Sequence, residues 1–332
     1  MHKNKENMLR GAKIIVDTWV KIRRWDKLII VTSIEHKDEA EAIDAYAKIK
    51  AKSSQILVVE DGGQHVGVFF DRNENIFEPY TAIIAATDYS LVTTRAAKKA
   101  IQSRKKFLSL PLSTNDGRSM LEYDFLMMDP RRSRNRAQII MKYIKEAAEI
   151  HVTTPAGTDL YCKKVNRKPG FFNGVLKDGR GYSSASIEVY IPIEETKTNG
   201  IMVVDGSFGY IGRPEQPTKI IFKDGKIVDI ENHMAGIRLK EYIDGYKDER
   251  IYIGGEFGIG LNSMSQCLGN CYIEDESTYG TFHIGLGRNI ALGGMQNANG
   301  HFDLVALEPS IYVDNRCIMK DGVVTIPEFL HY

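Results

Sequence analysis

The chain has 332 residues, with 44 Lys and Arg against 43 Asp and Glu, 43% hydrophobic and 26% charged. A neutral, apolar-rich composition of this kind excludes a disordered chain, and it argues against nucleic acid, whose phosphates call for a basic excess. At about twice the usual domain length it predicts two domains.

From the amino terminus, apolar residues at helical spacing predict a helix over 7–24, followed by a short strand at 27–33 (KLIIVTS) and a helix over 37–52. Strands are expected at 55–60 (QILVVE), 81–87 (TAIIAAT) and 107–110, with a helix at 91–103 between the last two. Continuous apolar strands alternating with helices point to an α/β domain whose mainly parallel sheet is covered on both faces. No strand-to-helix turn carries G-x-G-x-x-G or G-x-x-x-x-G-K-[ST], so a nucleotide is not implied. An amphipathic helix over 135–149 reads as the connector, giving domains at 1–150 and 151–332. The basic run Arg131, Arg132, Arg134 and Arg136 at its start reads as a solvated or salt-bridged helix face.

The second half differs in kind. Residues 1–150 hold 26 Lys and Arg against 20 Asp and Glu, and the remainder 18 against 23. Glycine becomes frequent, and Asp-Gly pairs at 178–179, 224–225 and 321–322 separate β-like runs, as tight hairpins do. Only 235–246 reads as helical, so a β-rich (α+β) domain is expected to carry the site.

Three stretches place acids or imidazoles inside apolar or glycine-rich runs: SIEVYIP around Glu188, GEFGIGLN around Glu256, and GTFHIGLG around His283 followed by His301-Phe302-Asp303. A carboxylate removed from water needs a partner or a cation. On a strand, His301 and Asp303 point to one face, and with His283, Glu188 and Glu256 they suit one or two divalent ions among Zn, Co, Mn and Fe. The glycines strip side chains from these strands, which marks a close approach of ligand or backbone.

The second half resembles the thermophilic metallo-aminopeptidases (aminopeptidases T and S) in five ordered segments: PAGTDL at 155–160, IEVYIP at 187–192, EFGIGLN at 256–262, DESTYGTFHIGLG at 275–287, and HFD at 301–303. The resemblance implies a paired-metal site with Glu188, Glu256, His283, His301 and Asp303 as ligands, and Glu188 or Glu256 as a candidate proton shuttle. It also implies removal of an N-terminal residue from short peptides by metal-activated water, with the first domain serving as dimer interface or cavity wall. Ile290 stands where the peptidases carry a tyrosine. The 18-residue step from His283 to His301 is similar instead to the 2,5-dihydroxypyridine 5,6-dioxygenase branch, which implies a mononuclear Fe(II) ring-cleaving enzyme and carries a histidine at the position of Glu256. A non-catalytic binding protein on the same scaffold is the third reading.

Among weaker candidates, Cys267 and Cys271 are expected to be core or loop thiols, and Asp159 either orients a ligand or caps a turn. Asp275 and Glu276 read as exposed acids at the rim. Tyr182, Arg213 and Arg288 are possible substrate contacts, while His36, His65, His151 and His233 read as structural. Four cysteines, Cys162 and Cys317 included, are too few for a disulfide framework. No apolar run is long enough to span a membrane, and the polar start lacks a signal-like core. A cytoplasmic homodimer acting on a small molecule or short peptide is expected.

Overall fold

The computed structural model describes residues 4–60, 66–92, 94–176 and 181–332. They form two compact units, 1–127 with 172–186 and 128–171 with 187–332. The division differs from a simple cut at 150 because the chain returns to the first unit: the strand Gly181–Ser184 pairs in parallel with Lys106–Ser109. The helix expected over 135–149 spans Pro130–Ile144 and opens the second unit. Its true start is signalled by Asp129, whose carboxylate accepts from Arg131 N at 2.7 Å, and by Pro130 in the first turn, a cap and proline pair that specifies a helix beginning.

The first unit is the expected α/β domain. Its sheet is wholly parallel, in the order Ser53–Val59, Lys27–Ser33, Ala82–Ala86, Lys106–Ser109, Gly181–Ser184. The middle strands are buried along nearly their whole length, as continuous apolar runs require when both faces are covered. Ile29, Val31, Phe70, Phe77, Ile83, Ala85 and Phe107 form the core of one face. The first helix is shorter than expected: it runs Lys5–Ile14, widens into a π-type turn at Ile15–Trp19, and ends before Lys21, whose φ is +53°.

The second unit holds two antiparallel sheets. Eight strands are ordered Lys226–Ile230, Thr218–Lys223, Asn199–Val204, Asp159–Lys163, Glu149–Thr153, Ser310–Val313, Arg316–Lys320, Val323–Val324. The Asp224-Gly225 and Asp321-Gly322 turns close two of its hairpins, with φ of +48° and +84°, then +45° and +78°, the left-handed pair such turns demand. The pair at 178–179 lies outside the described residues. In the second sheet the second unit contributes the antiparallel strands His301–Leu307, Thr281–Gly287, Gly254–Gly260 and Ile187–Pro192, in that order.

Helix Met234–Asp244 matches expectation, with His233 Nδ1 accepting from Gly236 N at its start. A second helix, Tyr272–Ser277, was not legible in so short and acidic a run. Buried Lys164 donates to the carbonyls of Ile144, Lys145 and Ala147 at 3.1, 3.1 and 2.7 Å. A cation there satisfies the orphan carbonyls at the end of the Pro130–Ile144 helix.

Candidate metal centre

Four neighbouring strands of the second sheet carry the five expected ligands. Glu188 lies on Ile187–Pro192, Glu256 on Gly254–Gly260, His283 on Thr281–Gly287, and His301 with Asp303 on His301–Leu307. Alternation puts His301 and Asp303 on one face. Cross-strand register then sets every ligand directly opposite a glycine: Glu188 faces Gly260, His283 faces Gly258, His301 faces Gly287, and Glu256 and Asp303 flank Gly285 from either side. The glycines are spatial requirements. A Cβ on Gly258 would lie 1.9 Å from His283 Nε2; one on Gly285 would lie 2.7 Å from His301 Cε1 and 2.8 Å from Asp303 Oδ1.

The five side chains form two clusters, Glu188 with Glu256 and His283, and Glu256 with His301 and Asp303, each with its ligand atoms within 4.8 Å of one another. Glu256 belongs to both. His283 Nε2 is 2.9 Å from Glu188 Oε2, while His301 Nε2 is 3.2 Å from Glu256 Oε2 and 3.2 Å from Asp303 Oδ1. All but half-buried His301 are buried. His301 Nδ1 sits 2.9 Å from the Arg288 carbonyl, which can only accept, so Nδ1 carries a proton and the lone pair of the neutral ring lies on Nε2, toward the two carboxylates.

The electrostatics suit a cation. Burial opposes charge on both rings, yet Asp303 and Glu256 hold His301 well above 6.5, and Glu188 leads in raising His283 to about 9. Burial pushes Glu256 upward. Asp303 is likewise buried, but His301 beside it outweighs that and keeps it low. Among the described residues, Asp303 Oδ1 receives no aligned hydrogen bond although His301 Nε2 stands near it, and His283 Nδ1 has no partner. A divalent ion would replace protons as the neutralising charge, and imidazole with carboxylate is a donor set for Zn, Co, Mn or Fe.

Sequence reasoning missed one group that touches the centre. Tyr272, buried on the Tyr272–Ser277 helix, donates its hydroxyl to Asp303 Oδ2, and its ring stacks on Tyr210 at 4.2 Å between centroids. Ile290, at the position of the peptidases' tyrosine, is 44% exposed.

Asp275 and Glu276 are not the exposed acids expected: both are buried in that helix. Burial, with Glu188, Asp303 and Glu256 adding repulsion, raises Glu276 well above the usual carboxylate range. Burial also raises Asp275 from 3.8 to about 7, although its Oδ1 accepts from Leu268 N and Gly269 N, each at 3.0 Å. A carboxyl whose folded value is raised contributes stability that is fully present below about pH 3.8 and is lost as pH rises through about 7. We therefore expect Asp275→Asn to narrow or reverse its melting deficit against wild type between pH 5 and pH 8, by at most ~3 kcal/mol. A pH-independent difference in thermal unfolding would contradict this.

The other candidates belong to neither cluster. Asp159 neither orients a ligand nor caps a turn: it is exposed on a strand of the eight-stranded sheet, 2.8 Å from His151 Nε2, where strand alternation turns it outward. His36 pairs with Asp88 at 2.7 Å; His65 lies outside the described residues. Cys162, Cys267, Cys271 and Cys317 are free thiols. Arg136 is buried, with its guanidinium over Tyr279 and Phe329. Tyr182 packs against the first unit's core. Arg238 donates to the Arg213 carbonyl, and Arg288, whose carbonyl meets His301 Nδ1, donates through Nε to the Ala298 carbonyl at 2.6 Å. No helix among the described residues is long and apolar enough to cross a membrane.

The chain is similar to known proteins. The family described as 2,5-dihydroxypyridine 5,6-dioxygenase (NicX) matches residues 118–326. A curated relative, the 2,5-dihydroxypyridine 5,6-dioxygenase of Pseudomonas putida, is 23% identical over 221 residues, and the match spans 61% of this chain and 61% of that protein. Among solved structures, 2,5-dihydroxypyridine dioxygenase from Pseudomonas putida KT2440 has a TM-score of 0.81 at 15% identity, covering 99% of both chains. AmpT from Thermus thermophilus has a TM-score of 0.66 at 14% identity, covering 97% of this chain and 100% of its own. At such identities the two structures establish the fold alone.

Proposed function

Because the chain belongs to the 2,5-dihydroxypyridine 5,6-dioxygenase family, we propose that it is a metal-dependent ring-cleaving dioxygenase acting on a dihydroxylated aromatic or N-heteroaromatic ring. The observation that carries this is the convergence of Glu256, His301 Nε2 and Asp303 Oδ1, with the ring nitrogen's lone pair fixed toward the carboxylates by the Arg288 carbonyl. Three protein ligands with open positions are what an Fe(II) oxygenase requires.

When bound, a ferrous ion would supply the one-electron chemistry that lets dioxygen react with an electron-rich ring. The chain's own part is to hold and insulate. Glu256 and Asp303 offer two negative charges against a dication, His301 is oriented by backbone rather than by a mobile side chain, and the facing glycines leave space where side chains would intrude. One oxygen-donor glutamate in place of a histidine distinguishes this set from the two-histidine, one-carboxylate pattern.

A second reading is favoured by one observation, the Glu188, Glu256 and His283 cluster. Two ions sharing Glu256 would support hydrolysis of an aminoacyl bond by metal-activated water, the reaction implied by the ligand motifs.

Protein reconstituted with Fe(II) under argon and then exposed to oxygen is expected to consume dioxygen as 2,5-dihydroxypyridine or a related dihydroxylated ring loses its ultraviolet band. Hydrolysis of aminoacyl anilides by zinc, cobalt or manganese protein, with no oxygen uptake, would replace the first reading by the second. Inactivity in both assays would remove both.

A further inference from the structure

Resting on the metal reading above, we propose that Tyr272 is a positioning residue that makes Asp303 a one-oxygen ligand. Its hydroxyl occupies Asp303 Oδ2, while Oδ1 faces His301 Nε2 at 3.2 Å and receives no aligned hydrogen bond among the described residues. The carboxylate therefore has one committed oxygen and one available oxygen. A carboxylate free to rotate binds an ion through either oxygen or through both; one with Oδ2 engaged presents Oδ1 alone. Each position not taken by a second protein oxygen stays open for substrate.

The arrangement that holds Tyr272 is built from several elements. Its ring is clamped by Tyr210 at 4.2 Å, so the hydroxyl has little freedom. The helix that carries it is fastened at its far end: Ser277 Oγ donates to the Ile273 carbonyl at 2.6 Å and accepts from Ile187 N at 2.9 Å, and Ile187 immediately precedes Glu188. A single short helix thus ties the Asp303 carboxylate to the strand bearing Glu188. The partners of metal ligands orient them and tune affinity by roughly ten- to hundredfold, and Tyr272 is the side chain in that position for Asp303. It does not stand in the peptidases' tyrosine position, which is Ile290, and it lies on a different element.

The test is cobalt(II) titration of the metal-free full chain, read by the visible absorption band and the dissociation constant. Tyr272→Phe keeps the ring and its stacking and removes one hydroxyl. It is expected to weaken cobalt binding by about ten- to hundredfold and to weaken or displace the band, while Tyr143→Phe, which removes a hydroxyl bonded to Glu328 and not to a ligand, matches wild type. A Tyr272→Phe protein with an unchanged band and an affinity within about twofold of wild type overturns the inference alone. Wild type that takes up no cobalt overturns the metal reading and this inference with it. Should Tyr272→Phe fail to fold, 3-fluorotyrosine at position 272 keeps the shape and strengthens the donor; a displaced band supports the role, and an unmoved one overturns it.

Discussion

Glu256→Ala is expected to leave the protein folded but unable to hold an ion at either cluster, with turnover reduced by roughly 10³-fold or more. Its carboxylate is the one group common to both sets of ligands, so its removal leaves each with a single carboxylate and a histidine. His283→Ala tests the other side: it dismantles only the Glu188, Glu256 and His283 cluster. Under the ring-cleaving reading the variant keeps one ion and most of its oxygen-dependent activity; under the hydrolytic reading it loses one of two ions and its turnover. Metal content by plasma emission, measured beside activity for both variants, separates the two. Full activity in Glu256→Ala would show that the centre lies elsewhere.

Gly258→Ala is expected to act as His283→Ala does, without replacing a ligand. A methyl group there would sit 1.9 Å from His283 Nε2 and 2.0 Å from its Cε1, so something must shift. The ring must swing away from Glu188, at an overpacking cost of about 1–3 kcal/mol. Gly285→Ala intrudes instead on Glu256, His301 and Asp303 together. The pair therefore discriminates as the ligand variants do: the ring-cleaving reading predicts that Gly285→Ala is inactive and Gly258→Ala much less affected. Equal activity of both with wild type, in protein shown to bind iron normally, would contradict the spatial role of these glycines.

The centre was legible because strands write a simple code. The i, i+2 spacing of His301 and Asp303, and the isolated acids at 188 and 256, report a shared face without any knowledge of the turns between them. The parallel sheet of the first unit was legible for the same reason, from apolar runs such as KLIIVTS. Groups that depend on tertiary position were not. Asp275 and Glu276 look like ordinary surface acids until the helix containing them is buried, and Tyr272 gains its role only when that helix meets the His301–Leu307 strand. The motif PAGTDL leaves Asp159 either orienting a ligand or capping a turn, yet it lies on a strand of the other sheet, since order along the chain does not say which sheet a strand joins. The ligand set points toward aminopeptidases, whereas the family match falls on the dioxygenase side.

The return of residues 172–186 to the first unit has a consequence for biosynthesis. The strand Gly181–Ser184 that completes the parallel sheet emerges from the ribosome only after the Pro130–Ile144 helix and the strands Glu149–Thr153 and Asp159–Lys163 of the second unit. The first unit must wait, with the outer edge of its Lys106–Ser109 strand unpaired, while part of its successor is already made. Such long-range closure is slow and leaves an edge open to mispairing. Neither unit is a continuous stretch of chain, so no single break releases either one whole, and the nascent protein is most exposed to chaperones and proteases between those two moments.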